Sequence, residues 1–210
     1  MELRKRGQVS LEFMLVFGLM LILLLYSVNN VTFKEGSAST ENLRIQISLE
    51  EKNLANVISN TVSQVYSQGP GSKSTAYVRL TYLRDRDMLL KGLGVEDPKV
   101  FVTYGNYTDS GNGTYVTVTG KDSTPVLSGG DKNVFWSRAL YGAVLYNRSD
   151  VWSPRGSLTI GGVRIYGLEL DPADVPAILR VVVEWNPDKP DLWTFDQERG
   201  ELRININPGG

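Results

Sequence analysis

The apolar positions of this chain change their period twice. From Leu11 to Val28 they form an almost unbroken run of 18 residues that contains one carboxylate, Glu12, near its start. As a helix such a run extends about 27 Å, close to the hydrocarbon thickness of a bilayer. Between Thr32 and Gln68 the pattern becomes periodic. After the polar stretch Glu35-Gly36-Ser37-Ala38-Ser39-Thr40, apolar residues recur at Leu43, Ile47, Leu54, Ile58 and Val65, widened by Val57, Val62 and Tyr66. This spacing predicts a second helix with one apolar face. Thr40 and Leu43 do not make a capping box, so the helix is expected to continue or restart without a strong start signal. Gln68-Gly69-Pro70-Gly71-Ser72 stops it.

From Ser74 onward the apolar residues alternate, which predicts strands over 76–83, 99–104 and 114–119. Further strands are expected within 135–146, 157–170, 178–185 and 201–206, with Gly111-Asn112-Gly113, Gly129-Gly130 and Gly161-Gly162 as turns. The fold class is therefore α+β, a long N-terminal hydrophobic helix packed on an antiparallel β-sandwich-like head of seven to nine short strands. The amphipathic helix supplies the face that docks on the strands.

Charge and composition narrow the chemistry. Residues 1–7 carry Arg4, Lys5 and Arg6 against Glu2; removing them leaves 19 basic and 22 acidic residues, so no basic footprint for nucleic acid remains. The chain has no cysteine and no histidine, which excludes disulfides, thiolate sites, Ser-His-Asp chemistry and the common zinc sites. No catalytic residue, no metal and no cofactor is expected, and the chain is not expected to be an enzyme.

The first 28 residues are the most specific part. A secretory signal peptide would place small residues just after its apolar region, whereas Ser27-Val28-Asn29-Asn30 offers no such site. The basic leader places residues 1–7 in the cytoplasm and the chain after Asn29 outside. A carboxylate inside a membrane helix costs roughly 2.5–3.5 kcal/mol, so Glu12 needs a reason. Gly7 followed by Gln8-Val9-Ser10-Leu11-Glu12, behind that leader, resembles the class III signal peptide of archaeal type IV pilin-like proteins. The resemblance covers roughly the first 30 residues. It implies that a class III prepilin peptidase cuts between Gly7 and Gln8, before the apolar helix. Gln8 then becomes the amino terminus and Glu12 the fifth residue, where pilins generally carry a glutamate. One helical turn apart, the new amine and Glu12 share a face and neutralise each other, within one chain or between neighbours in a helix bundle. Because an unmatched buried charge costs several kcal/mol, such a pair selects axial register more than it adds affinity.

The organisation expected on this reading is a basic leader at 1–7, a transmembrane or filament-core helix at 8–33, an amphipathic helix at 34–68 and an extracellular β-rich head at 69–210. The function is that of a structural subunit of an archaeal type IV pilus-like surface filament. Its partners are further copies of itself, the prepilin peptidase, the pilus assembly machinery and, before assembly, the membrane. The alternative is a membrane-anchored extracellular binding protein that does not polymerise.

Several features of the head invite sharper readings. Asn30, Asn106, Asn112 and Asn147 head four N-x-S/T sequons and are candidate N-glycosylation sites. Asp109-Ser110-Gly111-Asn112-Gly113-Thr114 has oxygen ligands at odd spacings but lacks the closing Glu of a calcium loop, which makes it a surface turn. The pairs Asp85/Asp87 and Asp188/Asp191 read as polar loop charges rather than a carboxylate dyad. Tyr104, Tyr107, Tyr115, Tyr141, Tyr146, Trp152 and Trp193 either fill a core or subunit interface or line a glycan-binding groove.

Overall fold

A computed structural model of the 210-residue chain describes residues 3–32, 38–106, 111–121, 127–128, 131–160 and 162–209, with side chains placed for 12–28, 38–106, 111–121, 133–159 and 162–209. Two compact units result, residues 1–43 and 44–210. The first helix, α1, runs over Leu3–Thr32, and its unbroken backbone passes through Gly7 and Gln8. The second, α2, covers Ala38–Gln68. Of the polar stretch 35–40, residues 35–37 lie outside the described residues, and 38–40 already belong to the first turn of α2. At its C-terminus α2 stops where the glycines demand: Gly69 and Gly71 take φ of 90° and 83°, and the Gly69 amide closes the last turn on the Val65 carbonyl at 3.2 Å.

The strands follow in order: β1 (Lys73–Arg79), β2 (Lys99–Gly105), β3 (Gly113–Thr119), β4 (Leu127–Ser128), β5 (Asp131–Lys132), β6 (Val134–Arg138), β7 (Trp152–Ser153), β8 (Arg155–Ile160), β9 (Val163–Leu170), β10 (Ile178–Trp185), β11 (Leu192–Asp196) and β12 (Glu201–Ile206). One five-stranded sheet has the order β6-β3-β2-β9-β8, with every pairing antiparallel. The other has the order β1-β10-β12-β11-β7, and β4 and β5 form a separate two-stranded ladder. The class is α+β with antiparallel-rich sheets, as the residue pattern predicts. The refinement lies in the second sheet, where β10–β12 and β11–β7 pair in parallel. The β11–β12 hairpin enters with β12 innermost, next to β10, and local alternation carries no information about which arm of a hairpin does so.

A third helix, α3 (Arg86–Leu93), occupies a stretch read from the sequence as a polar loop. Its signals are nonetheless present. Asp85 caps it by accepting from the Met88 amide at 3.0 Å, and Gly94, with φ of 69°, closes it on the Leu90 carbonyl.

The core of the second unit is assembled around α2. Ile47, Leu54, Ala55, Ile58, Val62 and Val65 are buried at helical spacing. Ser59 Oγ donates to the Ser137 carbonyl at 2.6 Å and lies 2.9 Å from Thr114 Oγ1, which ties the helix to β3 and β6. All seven residues of β3 are buried, although their alternation reads as a strand with one wet face. α2 lies against one face through Thr114, while on the other Tyr115 meets the Trp136 ring and Thr117 donates to the Asn133 carbonyl, placements that no local pattern specifies. On the far side of the sheet, Phe101, Leu158 and Ile165 make a smaller cluster against Tyr146.

Aromatic rings join the two sheets and the helix. Trp152 and Trp193 have ring centres 5.3 Å apart, Trp193 and Tyr104 5.4 Å, Tyr104 and Tyr141 5.9 Å, Tyr141 and Tyr66 5.8 Å, and Tyr66 and Trp185 5.7 Å. Tyr104, Tyr115, Tyr141, Trp152 and Trp193 are buried, so they are core and line no open groove. Tyr146 is half-buried against the far cluster, and Tyr107 lies outside the described residues. The Tyr104 hydroxyl donates to the Tyr141 carbonyl at 2.7 Å, and the Tyr141 hydroxyl to Asp191 at 2.5 Å. Burial pushes both phenols far above their ordinary value.

Candidate functional site at the amino terminus

Between Phe13 and Tyr26 every residue of α1 except Gly18 is a large apolar side chain, and the least exposed of them, Leu21, is 46% exposed. Apolar residues therefore cover the whole circumference of the helix rather than one stripe. Such a helix is stable only where its surroundings are themselves apolar, in lipid or among other helices. Gly18 leaves open space where a Cβ would stand, and a small residue of this kind lets another helix approach closely. Among the described residues no helix is long and apolar enough to cross a membrane. The described side chains of α1 begin at 12, and Leu11, the first residue of the expected span, stands outside them.

Glu12 is exposed and is the one carboxylate between residues 12 and 28. The backbone of α1 is helical from Gly7 through Glu12, so Gln8 and Glu12 are separated by one turn, a rise of about 6 Å, and share a face. The side chains of Gly7's neighbours and of Gln8 lie outside the description. The charge arrangement expected after a cut at Gln8 is thus compatible with the backbone: an amine at the first turn of a helix and a carboxylate one turn on, where the helix dipole favours it.

Residues 5–31 match the family model of the class III signal peptide. This segment is typical of archaeal type IV pilin-like proteins, and the class III signal peptide implies processing by a prepilin peptidase and handling by pilus machinery. No curated protein and no solved structure matches the chain. The match supports an exported, pilin-like protein, and it contains Gly7, Gln8 and Glu12.

The sequons are placed unequally. Asn147 is exposed in the turn that follows Leu145, with the Arg148 amide bonded to the Leu145 carbonyl at 3.0 Å. Asn106 and Asn112 are half-buried with their Oδ1 atoms sealed from solvent, and Thr114, the hydroxyl residue of the Asn112 sequon, is fully buried against Ser59. The side chain of Asn30 lies outside the described residues, as do residues 107–110.

The acidic pairs separate. Asp85 caps α3 while Asp87 is exposed, and Asp191 is buried beneath Tyr141 while the Asp188 amide donates to the Asn186 side chain. Among the described residues no group of three His, Cys, Asp or Glu could hold a metal ion. Two residues that govern the head escaped the sequence reading, Glu50 and Glu51. They look like one solvated acidic patch on a helix, yet the first bonds three backbone amides and the second is buried.

Proposed function

We propose that this chain is the precursor of a structural subunit of a type IV pilus-like surface filament. A class III prepilin peptidase removes residues 1–7, and the helix that then begins at Gln8 holds the subunit in the membrane before assembly. During assembly the helix leaves the bilayer and joins the helices of further copies. That step exchanges lipid contacts for helix contacts of similar apolarity, so extraction carries little hydrophobic penalty. Glu12 sets axial register by meeting an amino terminus. The head then lies outside, on the surface of the filament.

The observation that supports this reading most directly is a class III signal peptide whose helix is apolar and exposed around its whole circumference from Phe13 to Tyr26. The test is the intact mass and N-terminal sequence of the membrane-associated protein made in a host with a class III prepilin peptidase, followed by electron microscopy. A start at Gln8 together with filaments is the expected result. Glu12→Ala is expected to be cleaved and inserted but to incorporate poorly; normal incorporation would remove its register role. Retention of Met1, or cleavage without filaments, would replace this reading by that of an anchored binding protein.

A further inference from the structure

Glu51 occupies the middle of the buried face of α2. It is 0% exposed, between Ile47 and the pair Leu54 and Ala55 on the same face. Among the described residues neither carboxyl oxygen makes a well-formed hydrogen bond, and the Val118 backbone gives the group only weak support. Its neighbours differ: Glu50 takes three backbone amides, and Lys52 donates to the Trp136 carbonyl. The face of Glu51 is apolar for reasons visible in the chain. Between Gly113 and Thr119, β3 carries no charged residue.

The charged groups on the elements around this seam are occupied or exposed. On α2, Arg44 donates to the Gly92 carbonyl. Lys99 of β2 and Arg86 of α3 both bind Asp171. Arg138 of β6, Asp87 and Lys91 of α3, and Glu96 and Lys121 beyond the strand ends are exposed. Among the described residues, burial and the Val118 backbone act on the Glu51 carboxyl, and no ionic partner does. An isolated buried carboxylate would cost many kcal/mol, and a group in that position neutralises instead.

We infer that Glu51 is carried as the neutral acid and acts as a proton-operated latch on the seam between α2 and β3. While protonated it stays seated among Ile47, Leu54 and Ala55. Once ionised it must reach water, and it can do so only if α2 lifts from the strand. Burial pushes the Glu51 carboxyl well above the ordinary carboxylate range, with the Val118 backbone opposing to a smaller extent. The seam therefore loosens as pH rises, whereas most acid-sensitive contacts fail as it falls. This device concerns the head and stands independently of filament assembly.

The test uses the full chain in detergent micelles. Carboxyl carbon resonances of labelled glutamates are followed from pH 4 to 10, with Glu51 assigned by its absence in Glu51→Gln. Its midpoint is expected more than one pH unit above those of the exposed glutamates. Amide exchange over residues 44–68, corrected for intrinsic rates, is compared between the wild type and Glu51→Gln. The ratio of their opening constants is expected to rise toward tenfold per pH unit above the ordinary glutamate range and to level off once Glu51 titrates in the closed state. Should Glu51→Gln fail to fold, Glu51→Leu provides the neutral reference. A Glu51 resonance that titrates with the others, or a ratio constant from pH 5 to 9, overturns the latch. So does equal loss of protection in β10 and β12, because the titration would then act on the whole fold.

Discussion

Replacing Glu50 by alanine removes one carboxyl group from three amides at once. Its oxygens accept from the Thr81 amide at 2.6 Å, the Tyr82 amide at 2.8 Å and the Leu83 amide at 3.0 Å. These residues make the corner between β1 and the cap of α3, and the corner sets Leu80 and Leu83 into the core at 2% and 0% exposure. Thr81 is exposed, so its amide regains water and the loss there is small. The Tyr82 and Leu83 amides lose their acceptor on the protein side, at about 1–1.5 kcal/mol each for net hydrogen bonds of this kind. Glu50→Ala is therefore expected to destabilise the head by about 2–3 kcal/mol, and Glu50→Gln, which keeps one acceptor oxygen, by roughly half as much. Urea unfolding of the full chain in micelles, followed by the fluorescence of the four tryptophans, all of them in the head, reads this as a lower midpoint with an unchanged slope. Amide exchange should localise the loss to residues 80–94. A Glu50→Ala midpoint within about 0.5 kcal/mol of the wild type would refute the reasoning and show that water replaces the carboxyl at this corner.

Two further outcomes follow from the same geometry. Lys99 at 2.6 Å, helped by the Ala173 amide and Arg86, holds the Asp171 carboxyl at about 2 against an ordinary 3.8. The folded value is the lower one, so this stabilisation is complete above the ordinary value and is lost as pH falls toward 2. At 1.36 kcal/mol per unit, and discounted for a side chain 27% exposed, it amounts to about 1 kcal/mol. The difference in urea midpoint between wild type and Asp171→Asn should accordingly close between pH 4 and pH 2. Gly113→Ala is expected to cost more than 2 kcal/mol in the same assay, because a Cβ there would stand 2.6 Å from the Trp136 indole nitrogen and, closer still, against the Ser137 carbonyl of the paired strand. A midpoint unchanged by that substitution would mean that β3 and β6 pair more loosely than the geometry indicates.

Much of this protein is legible along the chain because much of it is local. The unbroken apolar run makes α1, with Gly7-Gln8 and Glu12 at its head, and the match over residues 5–31 rests on the same residues. Gly69 and Gly71 end α2, and period-two alternation gives β2, β3, β10 and β12 nearly to the residue. These signals depend on spacing and on backbone conformations that few residues besides glycine adopt, and neither requires a partner distant in sequence.

Tertiary structure alone determined the rest. Val134–Arg138 is a strand and the residues after it are not, because β6 pairs only as far as β3 reaches, from Gly113 to Thr117. The aromatic residues that could have lined a groove became core once Tyr104 of one sheet met Trp193 of the other. The four sequons look alike in sequence, and packing left Asn147 open while it closed around Asn112. Glu50 and Glu51 are adjacent and chemically identical, yet one terminates a corner and the other is sealed against a strand. One residue of helix is a rotation of about 100°, and which direction meets water is set by what the chain lays against the helix from far away.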